Sequence, residues 1–149
     1  MFAAVPTEIE NPRSLKTPIG SIEILATSEE TQNSFAIIEL SVPSQFPGAP
    51  LHYHEHMPES MYVLEGKIEV SINGQVRVLG AGELAVMPPK SVHGYHNPFE
   101  EQARFLIIAP GHDRFFLELI AWMKQSPVWP PKDRSELVSF GLRHDTIYV

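Results

Sequence analysis

The sequence contains no cysteine. Disulfides, thiolate metal ligands and cysteine nucleophiles are therefore excluded, any metal must be held through nitrogen and oxygen, and a reducing cytoplasmic setting is expected. Basic residues are also scarce: 11 Lys and Arg against 18 Asp and Glu give a formal net charge of -7, with no basic run. A nucleic acid or an anionic membrane surface requires a basic footprint, so neither is expected as a partner. No window approaches the ~20 apolar residues of a membrane-spanning helix. Residues 1–11 have neither the basic start nor the apolar core of a secretory signal.

What is present points to a small β-rich domain. A chain of 149 residues suits a single core. Its 14 prolines, nearly twice the usual share of about 5%, favour many short strands. Residues 1–18, broken by Pro6, Pro12 and Pro18, show no period and read as an N-terminal arm. Strands are predicted over 21–27, 34–42, 60–64, 84–87, 91–96 and 104–109. Ile68, Val70 and Ile72 alternate with polar residues up to Asn73-Gly74, a type I′ hairpin signal. Val76 and Val78 are expected to carry the buried face onto the return strand, with Gln75 and Arg77 outside. After Pro110-Gly111 the period changes. Phe115, Phe116, Leu119, Ile120 and Met123 form one face of a helix over 113–125, stopped by Pro127, Pro130 and Pro131. Asp133 and Glu136 resemble a capping box for a second short helix, with Gly141 as its C′ residue. The expected organisation is an arm (1–18), a barrel (19–110) and a C-terminal helical extension packed on it (111–149).

Chemistry concentrates in residues 48–66, where His52, His54, Glu55, His56 and Glu59 crowd beside Pro and Gly. Residues two apart on a strand point the same way, so His52 and His54 form a chelating pair. Met57-Pro58 is expected to bend the chain and let Glu59 turn inward with Met61 and Val63. His93, on a later strand, reaches the same point only if the sheet closes on itself. Three imidazoles and a carboxylate suit a borderline divalent ion and leave one or two positions open.

The order His52-x-His54, Glu59, Gly66, followed by Gly82, Pro88, His93 and Asn97, resembles the two motifs of the cupin family. The resemblance implies a mainly β double-stranded β-helix, or jelly-roll barrel, with His52, His54, Glu59 and His93 as ligands of one Fe, Mn, Ni, Co or Zn ion. The sequence departs from the pattern at Gly48, closer to His52 than usual, and at Lys90, where glycine is usual. The resemblance extends to metal-dependent cupin dioxygenases acting on quercetin-like flavonols, which implies a small organic substrate, O2 as possible co-substrate, and Glu59 as proton acceptor. A non-redox isomerase or lyase, and a small-molecule-binding barrel with a structural metal, are the alternatives.

Tyr95 shares the His93 face and is expected either to offer its hydroxyl to a substrate or to pack as a buried aromatic. Met61, Val63, Tyr95, Phe105 and Ile107 suggest an apolar or aromatic ligand, and no arginine cluster lies near the motifs. His56 is expected at the rim, His96 and Asn97 in structural roles, and His112 and His144 in solvated or capping ones. Phe115, Phe116 and Trp122 are expected to seat the helix, with one wall of the cavity as their alternative role. A homodimer through exposed strand edges is the expected assembly.

Overall fold

The structure, a computed structural model, describes residues 11–17, 20–126, 128 and 130–149. The expected arm falls largely outside the described residues, as do Pro18 and Pro127. Its portion at Ser14–Thr17 forms strand β1. The strands that follow are β2 (Gly20–Ala26), β3 (Ala36–Val42), β4 (His52–Tyr53), β5 (Glu59–Glu65), β6 (Lys67–Ile72), β7 (Gln75–Gly80), β8 (Leu84–Met87), β9 (His93–His96) and β10 (Ala103–Ala109). Helices α1 (Asp113–Gln125) and α2 (Arg134–Leu142) and a short strand β11 (Ile147–Tyr148) complete the chain.

The strands form two antiparallel sheets. One has six strands in the order β1-β2-β3-β10-β5-β8, the other five in the order β11-β4-β9-β6-β7. Alternation along the strands builds the core between them. β3 buries Ala36, Ile38, Leu40 and Val42, β10 buries Phe105 and Ile107, β5 buries Met61 and Val63, and the facing sheet supplies Ile68, Val70 and Leu79. Consecutive strands change sheet repeatedly. β5 passes to β6 through Gly66 alone, whose φ is +73° and where a Cβ would lie 2.5 Å from the Gln102 carbonyl oxygen. This winding brings β4, β5 and β9 to one end of the interior. No helix among the described residues is long and apolar enough to cross a membrane.

Two local expectations are corrected, and one strand pairing was not anticipated. Val76 and Val78 are 59% and 49% exposed. The two-residue turn pairs Ile72 with Gln75, so Ile68 lies opposite Leu79 and Val70 opposite Arg77. The buried face therefore continues to Leu79, and the two valines share the outer face with Ser71 and Glu69. Gly141 lies inside the last turn of α2, which ends at Leu142. It is small because a Cβ there would meet the Thr146 carbonyl oxygen at 2.5 Å. Finally, β4 and β11 are two-residue strands that pair with each other, too short to show a period in sequence. The start of α2 is capped as expected: the Asp133 carboxylate accepts the Ser135 N–H at 2.8 Å.

Gly48 joins β3's side of the barrel to β4 with φ +87°, and a Cβ there would lie 1.8 Å from the Tyr95 carbonyl oxygen. Gly74 has a similar φ of +81° but open space around it. Gly74→Ala should then cost only the left-handed backbone penalty of about 1–2 kcal/mol. Gly48→Ala adds a clash with main chain, and should cost at least about 3 kcal/mol. Urea denaturation of the two variants checks this, and equal losses would contradict it.

Candidate metal centre

His52 and His93 are cross-strand partners on β4 and β9, with ring centroids 4.4 Å apart. His54 lies just beyond β4, its ring 5.1 Å from His52 and 5.2 Å from His93. Glu59 opens β5 on the same inward parity as Met61 and Val63. Each of these four residues offers a donor atom within 4.8 Å of the others. His52 is 7% exposed and His54, Glu59 and His93 are 2% exposed.

The hydrogen bonds around the cluster fix which nitrogen faces inward. His52 Nδ1–H donates to the Pro50 carbonyl, His54 Nδ1–H to the Asp145 carbonyl and His93 Nδ1–H to the Ser91 carbonyl, each at 2.8 Å. A ring whose Nδ1 carries the proton presents an Nε2 lone pair. Yet Glu59 Oε2 lies 2.7 Å from His54 Nε2 and 3.4 Å from His93 Nε2. Acceptors facing each other at such distances need positive charge between them. A proton on the ring nitrogen beside Glu59, or a cation shared by the four donors, supplies that charge, and burial, reinforced by the neighbouring His93, pushes His52 down to about 4. For His93, burial opposes protonation but is outweighed by the Glu59 hydrogen bond and charge. Burial works against the Glu59 carboxylate, yet hydrogen bonds from His54 and His93 hold it well below the usual range. Three neutral imidazoles and an ionised carboxylate fit a divalent ion with nitrogen and oxygen ligands.

The C-terminal segment completes this centre, and nothing in the motif spacing announces it. Asp145, at φ +52°, bonds His54 through its main chain. Its carboxylate accepts the N–H groups of Glu55, His56 and Met57 at 2.9, 3.0 and 3.1 Å, a nest of donors that satisfies an anion. Tyr148 on β11 lies over His52 at 5.7 Å between ring centroids. His112 is 4% exposed and sits against His54, which corrects the expectation of a solvated or capping residue. His144 is half-buried, paired with Glu118 at 2.5 Å.

The remaining sequence candidates separate clearly. His56 is exposed and Glu55 pairs with Lys90 at 3.2 Å. Lys90 itself adopts φ +68°, so the turn keeps a conformation natural to glycine, and its N–H donates to the His54 carbonyl at 2.7 Å. Asn97 is fully buried and bonds the Pro43 and Glu101 carbonyls, and His96 pairs with Glu69 at 3.3 Å. Tyr95 packs edge-on against Phe105 at 5.2 Å. Burial, with the charge of Glu59, raises its phenol well above the ordinary range, leaving a neutral hydroxyl. Arg114 and Arg143, distant from the motifs in sequence, line a cavity of about 250 Å³ with Met57, Gly111, His144 and Asp145.

Because the Asp145 carboxylate fixes the loop after His54, Asp145→Ala, which keeps the carbonyl on the His54 ring, should weaken divalent-metal affinity about 10–100-fold with all four donors present. Asp145→Asn, which tolerates the left-handed backbone and keeps one acceptor, should lie between. Competition with a chromophoric chelator measures this, and an alanine variant within twofold of the parent would contradict it.

Comparison with known proteins agrees with this geometry. The cupin domain family matches residues 39–109. An uncharacterized protein of Aquifex aeolicus (strain VF5) is 31% identical over 116 residues, covering 76% of this chain and 93% of its own. Quercetin 2,3-dioxygenase of Bacillus subtilis (strain 168) is 32% identical over 72 residues, 48% of this chain but only 21% of the Bacillus protein. Among solved structures, a predicted oxalate decarboxylase from Thermotoga maritima superposes with a TM-score of 0.58 at 22% identity, covering 61% of this chain and 79% of that one. The polyketide cyclase RemF from Streptomyces resistomycificus gives a TM-score of 0.54 at 25% identity, covering 68% and 70%. With its two-sheet barrel, its buried His52, His54, Glu59 and His93 cluster and these relatives, the chain belongs to the cupin family.

Proposed function

We propose that the protein is a metal-dependent dioxygenase, quercetinase-like in chemistry, acting on a small apolar or aromatic molecule with an acidic hydroxyl. The observation that carries this reading is the convergence of three Nε2 atoms and the Glu59 carboxylate in an otherwise apolar interior. His52, His54, Glu59 and His93 are the proposed ligands of one Fe, Mn, Ni, Co or Zn ion. Such an ion, when bound, acts as a Lewis acid toward substrate oxygens and, for redox-active metals, supports chemistry with O2. The chain's own residues do the rest. Glu59 is ionised and so accepts a proton from an enolic or phenolic O–H, a weak base that suits an acidic group. The three main-chain carbonyls at Nδ1 keep the imidazoles oriented while Glu59 moves. Tyr95 offers a neutral hydroxyl, and Met61, Phe105 and Ile107 supply apolar walls. Tyr148 of β11, paired with His52 across the β4–β11 ladder, lies over the His52 ring.

A second reading is favoured by a different observation. Besides RemF, the polyketide synthase CurC of Streptomyces cyaneus is 34% identical over 55 residues, 37% of this chain and 36% of that one. Two relatives named for polyketide chemistry support a non-redox cyclase or lyase, with Glu59 again as the base. A homodimer is part of the proposal: β8 is an outer strand, and edge-to-edge pairing with a second copy would take up its main-chain edge. Sedimentation equilibrium should return twice the 16.7 kDa chain mass, and a monomer at micromolar concentration would remove the dimer.

The Fe, Mn, Co and Ni forms should consume O2 with quercetin or another enolic aromatic. Glu59→Gln should keep the fold and lower turnover by at least about 100-fold, within the range for a general base. Oxygen-electrode traces and circular dichroism check both. Product formation without O2 uptake would favour the cyclase reading, and an active Glu59→Gln variant would remove Glu59 from the mechanism.

A further inference from the structure

His112 is the N-cap residue of α1, yet its side chain makes no capping hydrogen bond. A polar N-cap side chain normally accepts an N–H of the first turn. Here the Phe116 N–H goes to the His112 backbone oxygen. The ring is buried, stacked on Phe115 at 4.9 Å and 25°, with Phe116 edge-on at 5.0 Å and His54 edge-on at 5.2 Å. Its Nδ1 is the one buried side-chain nitrogen or oxygen among the described residues that has no hydrogen-bond partner. Burial pushes His112 down to about 3, with Glu59, His54 and His52 close enough to act on it.

Neither structural role of a histidine accounts for this residue. Orienting a metal-facing imidazole is already done for His54 by the Asp145 carbonyl. Filling an aromatic slot needs no nitrogen, and phenylalanine would do it without leaving a buried polar atom unpaired. A neutral imidazole carries one donor and one acceptor, and the fold uses neither for capping.

We propose that His112 contacts the substrate: its unpartnered nitrogen hydrogen-bonds an oxygen of a small hydroxylated aromatic molecule bound beside Glu59, with Phe115 and Phe116 as the adjoining aromatic wall. The proposal rests on the metal-centre reading of His52, His54, Glu59 and His93, and narrows its substrate class. A site built to hydrogen-bond a ligand oxygen discriminates strongly against analogues lacking it, because the buried partner is then left unmatched. His112 is thus a specificity-determining residue supplied by the start of α1, outside both sequence motifs.

The test uses the full chain loaded with zinc, which is redox-silent, and quercetin as the probe. Zinc content is measured first, then the quercetin Kd by calorimetry, for the parent, His112→Phe and His112→Gln. The side-chain nitrogen signals of ¹⁵N-histidine-labelled parent protein are followed on quercetin addition. Zinc should stay near one per chain in all three. His112→Phe should weaken quercetin at least about tenfold, as loss of a buried hydrogen bond implies, His112→Gln should recover part of it, and the His112 nitrogen signal should move. Unchanged affinity in His112→Phe, equal losses in both variants, or loss of zinc from either would overturn the proposal. So would a zinc-loaded parent that binds no quercetin. A parent that takes up no zinc would instead remove the metal-centre reading, and this proposal with it.

Discussion

Three main-chain carbonyls, each accepting an Nδ1–H, are the constraint on which the centre depends. Pro50 precedes β4, Ser91 precedes β9 and Asp145 lies in the tail after α2, so the pins come from three distant parts of the chain. Each turns an Nε2 toward Glu59. The barrel exists, from the point of view of the site, to bring those three carbonyls and the Glu59 end of β5 within one small volume. Repeated crossing between the sheets does most of this, and the β4–β11 ladder holds the tail in place.

Burying four such groups among aliphatic side chains is costly unless their charges and lone pairs are matched. An unpaired polar group in a protein interior costs roughly 1–3 kcal/mol, and an uncompensated charge more. A cation shared by all four donors matches them together. It would also tie the two sheets together, since the donors sit on β4, beyond β4, on β5 and on β9, while the tail joins through the Asp145 carbonyl on His54. Binding of such a cation would be linked to folding, because the site has no counterpart in the unfolded chain.

Much of this was legible in the sequence because strand parity and motif spacing both act locally. His52-x-His54 read as a same-side pair, and His93 read as a partner that required a closed sheet. The four residues do meet in one buried cluster. Other features were hidden for physical reasons. Asp145 acts partly through a carbonyl oxygen, which every residue possesses, and through a left-handed backbone that only the fold reveals. β11 is too short for a period. His112 read as a solvated or capping residue, and its burial depends on how α1 packs against β2 and β3. Arg114 and Arg143 meet beside Met57 only after the helices pack. The error at Val76 and Val78 is different in kind. A two-residue turn fixes Ile72 opposite Gln75, so their outward facing followed from the Asn73-Gly74 signal already in hand.

The central claim is that one divalent ion is held by His52, His54, Glu59 and His93. X-ray absorption fine structure of the zinc- or nickel-loaded protein tests it most directly. The account predicts a shell of nitrogen and oxygen at about 2.0–2.2 Å, with the multiple scattering of three imidazoles and no sulfur. A shell of oxygen alone, fewer imidazoles, or a sulfur contribution from Met57 or Met61 would contradict it.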